Sequence, residues 1–300
     1  MANEIKTLDN DNYDAMAVLM GMDSPTASGT KRSMLTRLAI QHESIMGKVE
    51  VKGKMKNMEI VPAGVYRLDM DGDVKVYGEV VQFRPFIQKQ MVQRYLSDDN
   101  RFVKTMMHNN LKGDLKDNNG GVNCGRPSGY IKDWNSVSTE VKTLIRECKR
   151  TNVWLGTVTL ADAVFADGTD AGEYVEVPVA YEIKNNQAFK DSEAIFKDMF
   201  KRKLTPLQYI VTLTSEEVPL NNGKVFFQGK FAPNYKDVTD ITDAHIQTLN
   251  DFNDWVVQHN EWISRVWSEK NLLTPTADDE ALAADFYDVD GDDVEVTVDA

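Results

Sequence analysis

Residues 65–83 read VYRLDMDGDVKVYGEVVQF, which is the clearest β-structure signal in the chain. Polar and apolar side chains alternate on both sides of Asp71-Gly72, and a two-residue Asp-Gly loop between alternating runs is typical of a type I′ β-hairpin. The register of such a hairpin places Tyr66 directly opposite Tyr77, with Lys75 on the same face. A separate apolar face on these strands predicts that Tyr66, Lys75 and Tyr77 are exposed.

Further segments with strand or helix patterns extend on both sides of this hairpin. β-type alternation or β-branched enrichment predicts strands at 48–60, 101–107, 150–160, 174–183, 209–214 and 225–231. Apolar spacing of three and four residues predicts a helix at 186–201 and a long amphipathic helix at 242–270. We expect the long helix to pack on the β-body, and self-association along its apolar side is the alternative. The fold class is mainly β with added helices (α+β).

Charge is distributed unevenly along the chain. The formal net charge of the 300 residues is −13, and residues 278–300 contribute ten of these negative charges without a single Lys or Arg. Blocks of like charge repel one another and do not form a core, so this tail is predicted to be disordered. Residues 48–155 hold 19 basic and 13 acidic side chains. A basic segment joined to an acidic tail favours a binder of polyanions, with a plain solvated basic face as the alternative.

Several classes of function lack their sequence signals. There is no apolar run long enough to span a membrane and no signal-peptide pattern, so a cytoplasmic protein without membrane contact is expected. Phosphate-binding, nucleophile-elbow and dinucleotide motifs are missing, which predicts no catalytic residues and no cofactor. Two cysteines and four histidines without tight spacing predict no metal site. A mixed zinc site that uses Cys124, Cys148 and His108 is the alternative.

Aromatic and basic residues are interleaved in the first half of the body. Single-stranded nucleic acid is bound by this combination, because rings stack on bases and cations follow the phosphates. Taken singly, most strand aromatics belong to a core, and only a part of this set is expected to face a ligand. The residues predicted to bind DNA are Tyr66, Arg67, Lys75, Tyr77, Phe83, Arg84, Phe86, Lys89, Arg94, Arg126, Lys132, Trp134, Lys149, Arg150 and Trp154.

Two short runs, CGRPSG at 124–129 and KRTNVWLG at 149–156, together with the order of basic body and acidic tail, carry a family resemblance. In this layout the chain resembles the single-stranded DNA-binding proteins of bacteriophages. The resemblance implies an OB-like barrel with decorating loops that coats exposed strands in DNA replication, recombination and repair. It also implies that the tail recruits replication proteins such as polymerase and helicase or primase, and that it competes with DNA. The tail residues predicted to bind partners are Asp285, Phe286, Tyr287, Asp288, Asp290, Asp292 and Asp293.

Three segments follow from these patterns. They are a flexible N-terminal segment (1–35), an OB-like nucleic-acid-binding body that includes the long helix (36–276), and the disordered acidic tail (277–300). A homo-oligomer is compatible with this organisation.

Two other functions remain open from the sequence. One is a structural or scaffolding virion protein that assembles through the helix at 242–270. The other is a nuclease, for which Asp69, Asp71, Asp73 and Glu79 are the densest carboxylates.

Overall fold

The computed structural model describes residues 35–51, 53–127, 131–220 and 223–272. The acidic tail (277–300), with its predicted partner-binding residues, and all of the expected flexible N-terminal segment except Leu35 lie outside these residues. The described part is mainly β with helices, which confirms the α+β class. Its strands are β1 (Thr36–Ile40), β2 (Ile45–Val51), β3 (Lys54–Val61), β4 (Tyr66–Asp69), β5 (Lys75–Gly78), β6 (Val81–Leu96), β7 (Arg101–Lys104), β8 (Lys149–Val164), β9 (Asp170–Ile183), β10 (Ile210–Pro219) and β11 (Val225–Asn234).

Nine of these strands form one mixed sheet, in which β8 is the central element. The order runs β11-β10-β6-β8-β5-β4-β1-β9, with β7 beside β6. Because β8 also pairs with β9, the five strands β8, β5, β4, β1 and β9 are joined in a closed path of pairings. Within that path, β1 and β9 are parallel and the other pairs are antiparallel. Strands β2 and β3 form a separate two-stranded ribbon.

Three α-helices stand in the described part: α1 (Thr139–Glu147), α2 (Asn186–Arg202) and α3 (Asp243–Leu272). The side chain of Asn185 caps α2 by accepting from the backbone amides of Gln187 and Ala188, and residue Lys203 ends it in the left-handed conformation. These bounds confirm the helices predicted at 186–201 and 242–270.

Helix α3 buries its apolar side against the body of the protein. Phe252 and Val256 join a core cluster with Phe86 of β6, and Ile263 is fully buried as well. His259 bonds through Nε2 to the carbonyl oxygen of Thr105 at 3.1 Å, and the Asn260 amide makes two bonds to the Met107 backbone. The long helix therefore packs on the β-body, as the sequence predicted.

The β4–β5 hairpin differs from its predicted form by one residue. The amide of Met70 donates to the carbonyl of Val74 at 2.9 Å, so the loop holds the three residues Asp71–Asp73 instead of two. Asp73 takes a left-handed φ of 60°, which a short polar side chain tolerates better than most. As a result Tyr77 lies opposite Arg67, and Tyr66 lies opposite Gly78. Since a shift of one residue reverses the faces of a strand, Tyr66 and Tyr77 lie on opposite faces of the hairpin. The predicted pairing of these two tyrosines on one exposed face is therefore wrong.

Five aromatic residues predicted to bind DNA are core residues instead. Their exposed fractions run from 0% to 6%, which leaves no ring face open to a base. The largest of them, Trp154, packs its indole among three aromatic rings at centroid distances of 5.2 to 5.5 Å. Aromatic side chains bury more apolar area than any others, so a large mixed sheet places them inside. The five are Tyr66, Tyr77, Phe83, Phe86 and Trp154.

Glycine is required at position 156, where β8 pairs with β6. A Cβ on Gly156 would lie 2.2 Å from the carbonyl oxygen of Arg84 and 2.6 Å from the Phe83 ring. Neither the backbone oxygen nor a buried ring can move aside cheaply. The glycine thus lets β8 pair with β6 beside Pro85 while the indole of Trp154 enters the core.

Candidate functional site

One end of the sheet holds a pocket of about 440 Å³ between α1, the start of β8 and the start of α2. Four cationic side chains line it, contributed by Arg126, Arg146, Lys149 and Arg150, and its other walls are Ile145, Cys148 and Asn186. No carboxylate lines this pocket among the described residues. We call the four side chains the cation cluster.

The loop that ends at Arg126 is held in place by a buried carboxylate. Asp117 is 1% exposed and accepts bonds from the backbone amides of Asn119, Gly121 and Cys124 at 2.9 to 3.0 Å. Cys124 itself takes a left-handed φ of 57° within a short 3-10 turn, and Arg126 follows that turn directly. Asp117 therefore fixes the path of the chain into the pocket.

The two buried cysteines join this loop to the junction of α1 and β8. Cys124 and Cys148 pack in one apolar cluster with Val92 and Val103, and the Cys148 thiol lies 3.7 Å from the Cys124 carbonyl oxygen. Burial raises the pKa of both thiols, so they remain protonated apolar groups. Their contact brings Arg126 next to residues that follow it by twenty positions or more in the sequence.

Helix α1 supplies the third element of the site. Ser138 caps it by accepting from the amide of Val141, and Lys142 and Arg146 then lie one turn apart on the same face. Lys149, at the start of β8, donates to the carbonyl oxygen of Arg146 at 3.0 Å. This turn between helix and strand packs two cations of the cluster beside each other.

The electrostatics of the cation cluster favour an anionic ligand. No ion pair joins any of the four side chains to a carboxylate in the part of the chain that the structure describes. Burial and the neighbouring Arg150 guanidinium lower the pKa of Arg126. Unneutralised cations that face one another in a concave site are relieved by a bound anion, and guanidinium groups suit phosphate oxygens.

An exposed aromatic residue extends this surface beyond the pocket. Trp134 is 43% exposed, and the Lys142 ammonium lies 5.9 Å from its ring centroid. Because Lys142 and Arg146 share a face of α1, the indole stands about one helical turn from the cation cluster. The nearby Lys132 is also exposed.

The remaining predicted cations are dispersed or already engaged. Arg67 pairs with Asp69, and Arg94 pairs with Glu147. Arg84 is 8% exposed, and its guanidinium bonds to Glu176 and to the carbonyl oxygen of Leu207. That arrangement ties β6 to β9 and to the segment before β10, so it is a structural contact. The other two predicted cations are Lys75, exposed at the start of β5, and Lys89, which donates to Asn109 at 2.7 Å.

Two exposed aromatic residues of the interleaved segment were left out of the set predicted to bind DNA. Tyr95 and Phe102 lie directly opposite each other on β6 and β7, at 47% and 49% exposure, with ring centroids 5.0 Å apart. The Lys184 ammonium lies 5.5 Å from the Phe102 ring centroid. Arg146 of the cation cluster was missed as well. The sequence signal for Arg146 was its position four residues after Lys142, on the same helix face. The signal for Tyr95 and Phe102 was the hairpin turn at 97–100, which places them opposite each other.

A partly buried carboxylate organises the cations beside this aromatic pair. Glu182 of β9 pairs with Lys104 at 3.0 Å and with Lys184 at 3.1 Å. Burial alone would raise the pKa of Glu182, but the two ammonium groups outweigh it and lower the pKa to about 2. Glu182 thus holds the Lys184 side chain close to the Phe102 ring.

We expect Glu182→Gln to destabilise the fold in a pH-dependent way. Because the pKa of Glu182 is lower in the folded state, the ionised carboxylate stabilises the fold at every pH above the ordinary carboxyl pKa. This contribution disappears as the pH falls towards 2. The shift corresponds to roughly 3 kcal/mol of unfolding free energy at neutral pH. Urea unfolding between pH 7 and pH 3 measures the difference in the free energy of unfolding between wild type and Glu182→Gln. This difference should become smaller as the pH falls. Glu173→Gln, at an exposed position of the same strand, is the control, and a pH-independent difference for Glu182→Gln would contradict this account.

No family model, curated protein or solved structure matches the chain. Among the described residues, no group of three or more His, Cys, Asp or Glu side chains is placed to hold a metal ion. Within the same ranges, no helix has the length and apolar character needed to cross a membrane.

Proposed function

We propose that this chain is a non-enzymatic single-stranded DNA-binding protein. The observation that supports it most directly is the convergence of Arg126, Arg146, Lys149 and Arg150 on one pocket without a carboxylate in its described lining. Phosphates of a flexible strand would occupy this pocket, and counterion release would supply the salt-dependent part of the affinity.

The exposed rings supply the second half of the proposal. Trp134 stands beside the cation cluster, and Tyr95 and Phe102 are two further rings that are about half exposed. A base stacked on an aromatic side chain contributes about 1–3 kcal/mol with little sequence preference. A strand that lies across the cation cluster would therefore be held by its phosphates and by its bases.

The OB-like barrel belongs to this proposal as well. Its support is the closed pairing path of β8, β5, β4, β1 and β9, since five strands are the number in an OB-fold. By the family resemblance, such a protein coats exposed strands in phage DNA replication and recombination. Its acidic tail would recruit replication proteins and compete with DNA.

A titration of the full chain with poly(dT) at two salt concentrations tests the proposal. We expect tryptophan quenching, and an affinity whose logarithm falls with the logarithm of salt by about 0.7 for each phosphate contacted. Trp134→Phe should remove most of the quenching, because Trp134 is more exposed than the other four tryptophans. The proposal fails if poly(dT) does not bind at low salt, or if duplex DNA of equal length binds as tightly.

A further inference from the structure

The outer side of α2 forms an apolar hollow that is separate from the cation cluster. Its volume is about 770 Å³, within the range of sites that bind small ligands and side chains. Phe196, Phe200 and Leu204 provide one wall, at spacings of four residues, and Pro206 adjoins them. We call this feature the α2 hollow.

Phe200 is the unusual member of that wall. Its side chain is 84% exposed, whereas Phe196 and Leu204 pack partly into the core beneath. Large aromatic side chains at such exposure, next to a concave apolar surface, are typical of a contact with another segment. The rest of the lining is polar and includes the amides of Gln88, Gln90 and Asn109.

The rim of the α2 hollow is positively charged. Lys197 and Lys201 line it, and Lys89 lies beside it through its bond to Asn109. The carboxylate in the lining, Glu193, is already paired with Lys197 at 2.8 Å. An apolar centre with a cationic rim fits an aromatic side chain that is flanked by acidic residues.

A segment of this kind lies beyond the described residues, in the acidic tail. In the acidic region 278–300, the aromatic residues are Phe286 and Tyr287, and Asp285 and Asp288 flank them directly. We propose that Phe286 and Tyr287 of this same chain dock in the α2 hollow, with Asp285 and Asp288 against its lysines. This docking does not depend on nucleic-acid binding.

The length of the intervening chain permits this contact. The described chain ends at Leu272 of α3, and Asn260 on the same helix touches Met107, two residues before Asn109 of the α2 hollow. Twelve helical residues span about 18 Å, so the end of α3 lies within roughly 30 Å of the α2 hollow. The fourteen residues from there to Phe286 reach about 46 Å when extended, and a flexible chain of that length averages about 20 Å end to end.

A labelled peptide with the sequence of residues 278–300 tests the docking on full-length proteins. In the Phe286→Ala/Tyr287→Ala variant the α2 hollow is vacant, and the peptide should bind at least tenfold more tightly than it binds wild type. Adding Phe200→Ser to that variant should abolish binding, whereas adding Val175→Ser, at another exposed apolar residue, should not. A peptide that carries the same two alanines should not bind.

Four results would overturn the proposal. They are an absence of peptide binding to the vacant variant, equal binding of the alanine peptide, indifference to Phe200→Ser, and loss of binding only when Arg126→Ala and Arg150→Ala are added. The last result would place the tail in the cation cluster instead. The remaining alternative is that the tail docks in the α2 hollow of a second copy of the chain. Sedimentation tests this alternative, because wild type would then self-associate and Phe286→Ala/Tyr287→Ala would not.

Discussion

Replacing Trp154 with alanine is expected to lower the free energy of unfolding by about 3–5 kcal/mol, which is a large share of the stability of a domain. The indole is 0% exposed and packs against Phe83, Phe196 and Phe231. These rings come from β6, α2 and β11, so the cavity left by alanine would open between three elements. Chemical denaturation of the purified variant measures the loss.

Two control variants separate this packing role from a role in DNA binding. Trp154→Phe keeps most of the apolar volume and removes an indole N–H that finds no hydrogen-bond partner among the described residues, so it should cost far less than alanine. Trp134→Phe should leave stability unchanged, because that ring is 43% exposed. If folded Trp154→Ala lost affinity for poly(dT) while keeping wild-type stability, the indole would be a ligand contact, and its assignment to the core would be wrong.

The sequence predicted the helices and most strands because these depend on local periodicity. The apolar spacing at 186–201 and 242–270 predicts α2 and α3, and in each helix most residues of that spacing face the core, with Phe200 and Ile246 exposed. The β4–β5 hairpin marks the limit of such reasoning. Its loop takes in Asp73 as a third residue, and that single residue moves Tyr66 and Tyr77 to opposite faces. Loop length is decided by backbone energies that the Asp-Gly pair alone does not specify.

The candidate site was predictable only in part, because it depends on contacts between distant segments. Lys149 and Arg150 are visible as a basic pair before a strong strand. That Arg126 joins them follows from the packing of Cys124 on Cys148 and from the loop held by Asp117, and neither contact has a sequence signal. Composition also could not separate core aromatics from exposed ones.

Replacing both Arg126 and Arg150 with glutamine should weaken poly(dT) binding about a hundredfold at low salt. A hydrogen bond to a charged group contributes about 1.5–3 kcal/mol, so each lost phosphate contact corresponds to a factor of about ten or more. The salt dependence should become shallower by about 0.7 for each contact removed. Binding isotherms at several salt concentrations measure both quantities.

Stability distinguishes a lost contact from a damaged fold. The pKa of Arg126 is lowered by burial and by the charge of Arg150, so the two guanidinium groups repel each other in the free protein. Their removal should leave the melting temperature unchanged or raise it, while affinity falls. Lys75→Gln removes an exposed cation of β5 outside the pocket and should alter affinity little. If Lys75→Gln weakened binding as much as the double variant, general charge would hold the DNA, and the cation cluster would lose its assigned role.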